Sequence, residues 1–163
     1  MGLFHKDQMT LQLEKYDYKP GDTIKGYVKL DLRKPLRCRK ITVAFIGTRT
    51  DTVMVHSVNP KGIPTTQMQK IKTVIYNFEI PLDEENTYLT EMYPFEIKIP
   101  ADILQGIDHK AQVQSIHLMG ITVPLPLGGS QPLSTVIEWT VHGQLDVPLK
   151  IDVKADQHVV LSP

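Results

Sequence analysis

An all-β fold, two antiparallel sheets packed face to face, follows from three features of this sequence. Apolar residues alternate with polar ones over one short run after another. Each run stops at proline, glycine or aspartate. A helical spacing of apolar residues is almost absent. Strands that face solvent on one side alternate in this way, whereas the parallel strands of a doubly wound fold read as continuous apolar runs.

The longest run shows the pattern best. Pro20 fixes φ at the first central position of a turn, Gly21 supplies a positive φ, and Asp22 can bond back to its own backbone. Beyond the turn Ile24, Gly26, Val28, Leu30 and Leu32 point one way, and Lys25, Tyr27, Lys29 and Asp31 the other. Before it, Leu11 and Leu13 alternate with Gln12 and Glu14. After it, Ile41, Val43 and Phe45 alternate with Thr42, Ala44 and Ile46, a strand apolar on both faces. Val74, Tyr76, Phe78 and Ile80 predict one buried face of a strand ended by Pro81. Tyr93, Phe95, Ile97 and Ile99 predict another, ended by Pro100. Ile137, Trp139, Val141 and Gly143 share a face, with Trp139 as a core anchor. Leu149, Ile151 and Val153 come after an Asp146–Pro148 connection, and Val159 to Leu161 close the chain. Ala101 to Gly106 has room for one helical turn.

Two connections are long. Residues 58–64 read as a mobile excursion. From Ala111 to Ile137 there is no Asp, Glu, Lys or Arg. Residues 113–123 have the makings of a strand, while Pro124 and Pro126 keep the next residues out of the middle of a sheet. This segment either covers an open end of the sandwich or stays partly exposed. We expect partial exposure and self-association through Ile116, Leu118, Met119, Ile121, Val123, Leu125 and Leu127, because soluble monomers seldom expose large apolar patches.

At 163 residues the expectation is a single domain over residues 1–163, large enough to bury roughly 70% of its unfolded surface. A single cysteine, Cys38, cannot form an internal disulfide, and no signal-peptide pattern opens the sequence, so a cytoplasmic setting is expected. Gly2 comes after Met1 as in a myristoylation start, but Lys6 occupies the position where serine or threonine is needed. No stretch is long and apolar enough for a membrane-spanning helix, which leaves only peripheral membrane association. A formal net charge of zero argues against general nucleic-acid binding.

Catalytic signatures are lacking. There is no zinc-protease histidine pair, phosphate-binding glycine loop or nucleophile elbow, and the six histidines have no metal-ligand spacing. No enzyme, metal or cofactor is expected. Asp83, Glu84 and Glu85 read as a solvated acidic turn. Cys38 has basic neighbours that would favour a thiolate, but no histidine accompanies it, and we read it as a small residue at a strand entrance.

Arg33, Lys34, Arg37, Arg39 and Lys40 crowd what reads as a connection between two strands. Buried unpaired guanidinium groups cost too much, so these cations must lie outside the sandwich or meet carboxylates. They are either a solvated turn blunting an edge strand, or a docking patch for an acidic or phosphorylated group.

Four stretches in order resemble the amino-terminal lobe of the arrestin family. Tyr18, Pro20, Gly21, Asp22, Ile24, Gly26 and Val28 resemble its turn and adjoining strand; Arg39, Ile41, Val43, Phe45 and Gly47 resemble the next. Tyr93, Phe95, Ile97, Ile99 and Pro100 are similar to a later strand, and Val136, Trp139, Leu145, Asp146 and Pro148 to the closing pair. The resemblance implies an immunoglobulin-like, arrestin-type β-sandwich acting as a non-enzymatic scaffold or adaptor that binds proteins. That family includes α-arrestins, an arrestin-like retromer subunit and bacterial sporulation-control proteins, and the single lobe looks most like its prokaryotic and archaeal members. With length for one lobe, a homodimer is expected to stand in for the second, and the polar core between lobes has no counterpart. Gln12, Leu13, Glu14 and Lys15 replace the lysine pair that senses receptor phosphates, so that role does not transfer. The alternative function is a sandwich binding an anionic small ligand, phospho-group or lipid headgroup through the basic 33–40 turn.

Overall fold

The computed structural model describes residues 6–105, 115–118, 121–124 and 133–163. All regular structure among them is β: β1 (Gln8–Leu13), β2 (Asp17–Tyr18), β3 (Thr23–Cys38), β4 (Lys40–Val58), β5 (Pro64–Asp83), β6 (Asn86–Lys98), β7 (Ser115–Leu118), β8 (Ile121–Pro124), β9 (Ser134–Asp146) and β10 (Val153–Leu161). One sheet runs β1-β3-β6 and a second β2-β10-β9-β4-β5, with β7-β8 a separate two-stranded pair. Strand β3 pairs antiparallel with both its neighbours, as β9 does with β10; the short β2 joins β10 in parallel. The fold class expected from the sequence is the one observed.

The chain separates into two compact units. The larger comprises Met1–Thr48, Val74–Ile103 and Glu138–Pro163. Its interior is the alternating set read from the sequence: Ile24, Val28 and Leu30 from β3, Ile41, Val43 and Phe45 from β4, Ile97 from β6, and Val141 and Leu145 from β9 are all buried. The two sheets meet closely here. A Cβ on Gly143 of β9 would stand 2.7 Å from the Met9 sulfur of β1, so a larger residue there would require the Met9 side chain to shift. Trp139 is buried, stacked on Phe45 at 5.2 Å and tilted against Tyr76 at 6.2 Å.

The opening turn is held as its residues require. Gly21 has φ 90°, and the Lys19 N–H donates to Asp22 Oδ2 at 2.9 Å. Residues 101–105 form turns without a helix.

The smaller unit comprises Arg49–Thr73 and Leu104–Ile137. The distal halves of β4 and β5 join here through a hydrogen-bonded turn, not a loose excursion: Asn59 Oδ1 accepts from Lys61 N–H and Ile63 N–H, both at 2.9 Å. Arg49 and Asp51 form its buried ion pair at 2.9 Å, and Thr135 donates its hydroxyl to the same carboxylate at 2.6 Å. The 113–123 stretch holds two strands instead of one, with Ile116 opposite Val123 and Leu118 opposite Ile121.

Four expectations need correction. β3 does not end near Leu32: after an irregularity between Asp31 and Leu36 it pairs again with β6, Leu36 with Tyr88 and Cys38 with Asn86. β5 runs through Pro81 to Asp83, and Val74 and Phe78 are exposed rather than core. The reason is its place at the margin of the five-stranded sheet, where proline is tolerated and one side has less to pack against. β6 begins well before Tyr93 and accommodates Pro94 because it too is outermost in its sheet. Leu149 and Ile151 lie outside β10, which starts at Val153, and both are exposed.

Candidate functional site

The basic segment is strand where a turn was expected. Arg33, Lys34 and Arg37 lie on β3 and Lys40 opens β4, leaving Arg39 as the link. Side chains leaving an extended backbone at this end diverge into solvent and meet carboxylates from β5, β9 and the β5–β6 turn. Arg37 Nε approaches Glu85 at 3.2 Å, Arg39 Nη1 approaches Asp146 at 3.7 Å, and Lys40 Nζ approaches Glu79 at 3.8 Å. The Arg39 N–H also donates to the Asp146 carbonyl at 3.0 Å. Arg33 uses its backbone N–H, donating to Asp7 Oδ1 at 2.9 Å; neither it nor Lys34 forms a side-chain ion pair among the described residues. Both outcomes anticipated for these cations occur together: they are exposed, and three are paired.

Cys38 is fully buried in their midst. Burial raises its thiol pKa first, and Asp146, Asp152 and Asp7 push in the same direction. The flanking cations therefore do not make it a nucleophile, because its side chain points away from them into a dry core.

The acidic turn is not merely solvated. The Tyr93 hydroxyl donates to Asp83 Oδ2 at 3.1 Å and also contacts Glu91, and the Tyr88 hydroxyl donates to the Glu84 carbonyl. Burial, then these acidic partners, hold Tyr93 far above the ordinary phenol range; burial pushes Tyr88 up to about 12. Nothing in the sequence brought these tyrosines to the acids, since the contacts link β5 to β6 across a turn.

Of the apolar set expected to self-associate, Met119, Leu125 and Leu127 lie outside the described residues. Ile116, Leu118, Ile121 and Val123 are placed only by the backbone of β7 and β8. Among the described residues no three His, Cys, Asp or Glu are grouped to hold a metal. His142 Nδ1 instead lies 2.5 Å from Asp156 Oδ1, and His142 Nε2 lies 3.3 Å from Gln144 Oε1 on the same pair of strands. No helix of the described residues is long and apolar enough to cross a membrane.

Against solved structures, the chain matches Spo0M, the sporulation control protein from Bacillus subtilis, with a TM-score of 0.57 and 18% identity over 98% of its length. The fold is arrestin-like. The match covers 51% of the Spo0M chain, so this arrestin-like chain spans about half the length of its structural neighbour. No family model and no curated protein matches it by sequence.

Proposed function

We propose that this arrestin-like chain is a scaffold or adaptor lobe in the cytoplasm that binds other proteins and catalyses no reaction. The observation that supports this reading most is the arrestin-like sandwich itself, extending over 98% of the chain. A partner docking on already-formed strand edges would meet little ordering cost. The paired cations fit the same reading. With Arg37, Arg39 and Lys40 each beside a carboxylate, this end presents mixed charge, as protein interfaces do at their rims, instead of a concentrated anion clamp.

Affinity capture with the tagged chain in native lysate, repeated across a salt series, tests the proposal. One or a few proteins retained saturably and at physiological salt are expected. Retention of no protein, together with salt-sensitive co-sedimentation with anionic vesicles that is lost in Arg33→Glu and Lys34→Glu chains, would replace the adaptor with the anion-binding reading.

A further inference from the structure

Leu149 has φ 60°, the one non-glycine residue with positive φ among those described. Its side chain is fully exposed at 102%, and that of Ile151 is 92% exposed. Both features oppose folding stability. Glycine or asparagine would suit the backbone, and a polar side chain would suit the solvent. Leucine at such a point departs from both preferences.

The tip is also framed by hydrogen bonds. The Val147 N–H donates to Asp152 Oδ1 at 2.9 Å, Gln144 Nε2 donates to Asp152 Oδ2 at 2.5 Å, and the Lys150 N–H donates to the Val147 carbonyl at 3.4 Å. Two bare aliphatic side chains thus flank Lys150, whose ammonium has no ion pair among the described residues.

The same unit also carries a concavity. On the three-stranded sheet lies an open groove of about 510 Å³, lined by Tyr27 and Pro94, by Gly26 and the edge of the otherwise buried Phe95, and by the charged Glu14, Lys25 and Glu96. Glu96 faces Lys25 at 3.7 Å, but Glu14 has no ion pair among the described residues. A convex apolar tip carrying Lys150 and an open groove of mixed lining, whose Glu14 is left over once Lys25 pairs with Glu96, occur on one chain.

We propose that the Leu149–Ile151 tip docks into this groove on a second copy, its aliphatic side chains against Tyr27 and Pro94 and Lys150 toward Glu14. A bilayer fits the tip less well. Asp146 and Asp152 stand beside it and offset the nearby cations, which leaves an anionic membrane little attraction. Tip and groove are different surfaces, so the contact is heterologous and extends from copy to copy unless it closes into a ring. The contact area is small, and association belongs to the weak class, on the order of tens to hundreds of micromolar. Self-association of this kind does not depend on the adaptor reading.

Sedimentation velocity of the whole chain over a concentration series, from about ten to several hundred micromolar, tests it. The weight-average sedimentation coefficient is expected to rise with concentration. Leu149→Gly is expected to weaken association about tenfold or more while the melting temperature is unchanged or higher, since glycine accepts the backbone. Glu14→Lys disables the groove but keeps the tip. Each variant alone should associate at least about tenfold more weakly than the wild-type chain, and their mixture should form dimers and nothing larger. A wild-type chain that stays monomeric would overturn the proposal. So would association indifferent to Leu149→Gly, or a mixture that does not pair. Vesicle co-sedimentation of a monomeric chain, lost in Leu149→Gly, would assign the tip to lipid instead.

Discussion

Gly47 lies beneath the Trp139 indole, where an added Cβ would stand 2.5 Å from Cζ3. The ring is itself stacked on Phe45 and has no room to retreat. Gly47→Ala should therefore cost about 1–3 kcal/mol in urea-induced unfolding, with the denaturant slope unchanged. Asp51 is a second sensitive position: it is buried and answers both Arg49 and Thr135. Asp51→Ala leaves a buried guanidinium unpaired and should lose about 3–5 kcal/mol, far more than Thr135→Val. The buried phenols make alkaline pH a third probe. Tyr88 is raised to about 12 when folded against an ordinary value of 10, and Tyr93 shifts the same way. A group whose folded pKa is raised contributes stability fully below its unfolded pKa, and that contribution disappears as pH climbs through the folded value. Phenolate absorbance from these residues should therefore appear between about pH 10 and 12 together with loss of the β circular-dichroism signal. Titration of every tyrosine near pH 10 with the fold intact would contradict this.

Strands were legible from the sequence wherever one side of a sheet is dry. Ile24, Val28, Leu30 and Leu32 alternate because the core demands it, and all are buried. Legibility failed where the sheet ends. Val74 and Phe78 share the parity of Tyr76, yet β5 is outermost and leaves them exposed. Arg33 to Lys40 read as a turn because proline and cations signal solvent. A strand bordering solvent tolerates the same residues, and its renewed pairing with Asn86–Tyr88 is a long-range contact that no local pattern records. Leu149 and Ile151 also had strand parity, but the Pro148 and Asp152 that frame them were the better signal, since Asp152 captures the Val147 N–H and closes the connection. The backbone and Gln144 hydrogen bonds hold Asp152 below the usual carboxylate range, the backbone bond foremost. Its stabilising contribution is thus present above the unfolded carboxylate pKa and is lost as pH falls through the folded value. Asp152→Asn should flatten the acid limb of the stability–pH curve below about pH 4, measured by thermal melts. Charge reversal of Arg37 should change stability by under about 1 kcal/mol, because its pair with Glu85 is exposed.

At the scale of the molecule, the arrestin-type sandwich was readable from ordered alternation plus one turn, and the match to Spo0M bears it out at 18% identity. The charge pairing of the outer surface was not readable. Packing dictates which residues must be inside, whereas it leaves the outside free, and only geometry brought Glu79, Glu85 and Asp146 to the basic segment. The proposed adaptor role predicts binding by burial of apolar surface. Calorimetric titration of the purified chain with each protein captured from its native lysate, at several temperatures, measures that most directly. A saturable complex with a negative heat-capacity change is expected. No heat of binding with any captured protein, and a sustained heat of turnover with the small-molecule fraction of the lysate, would show a catalyst in place of an adaptor.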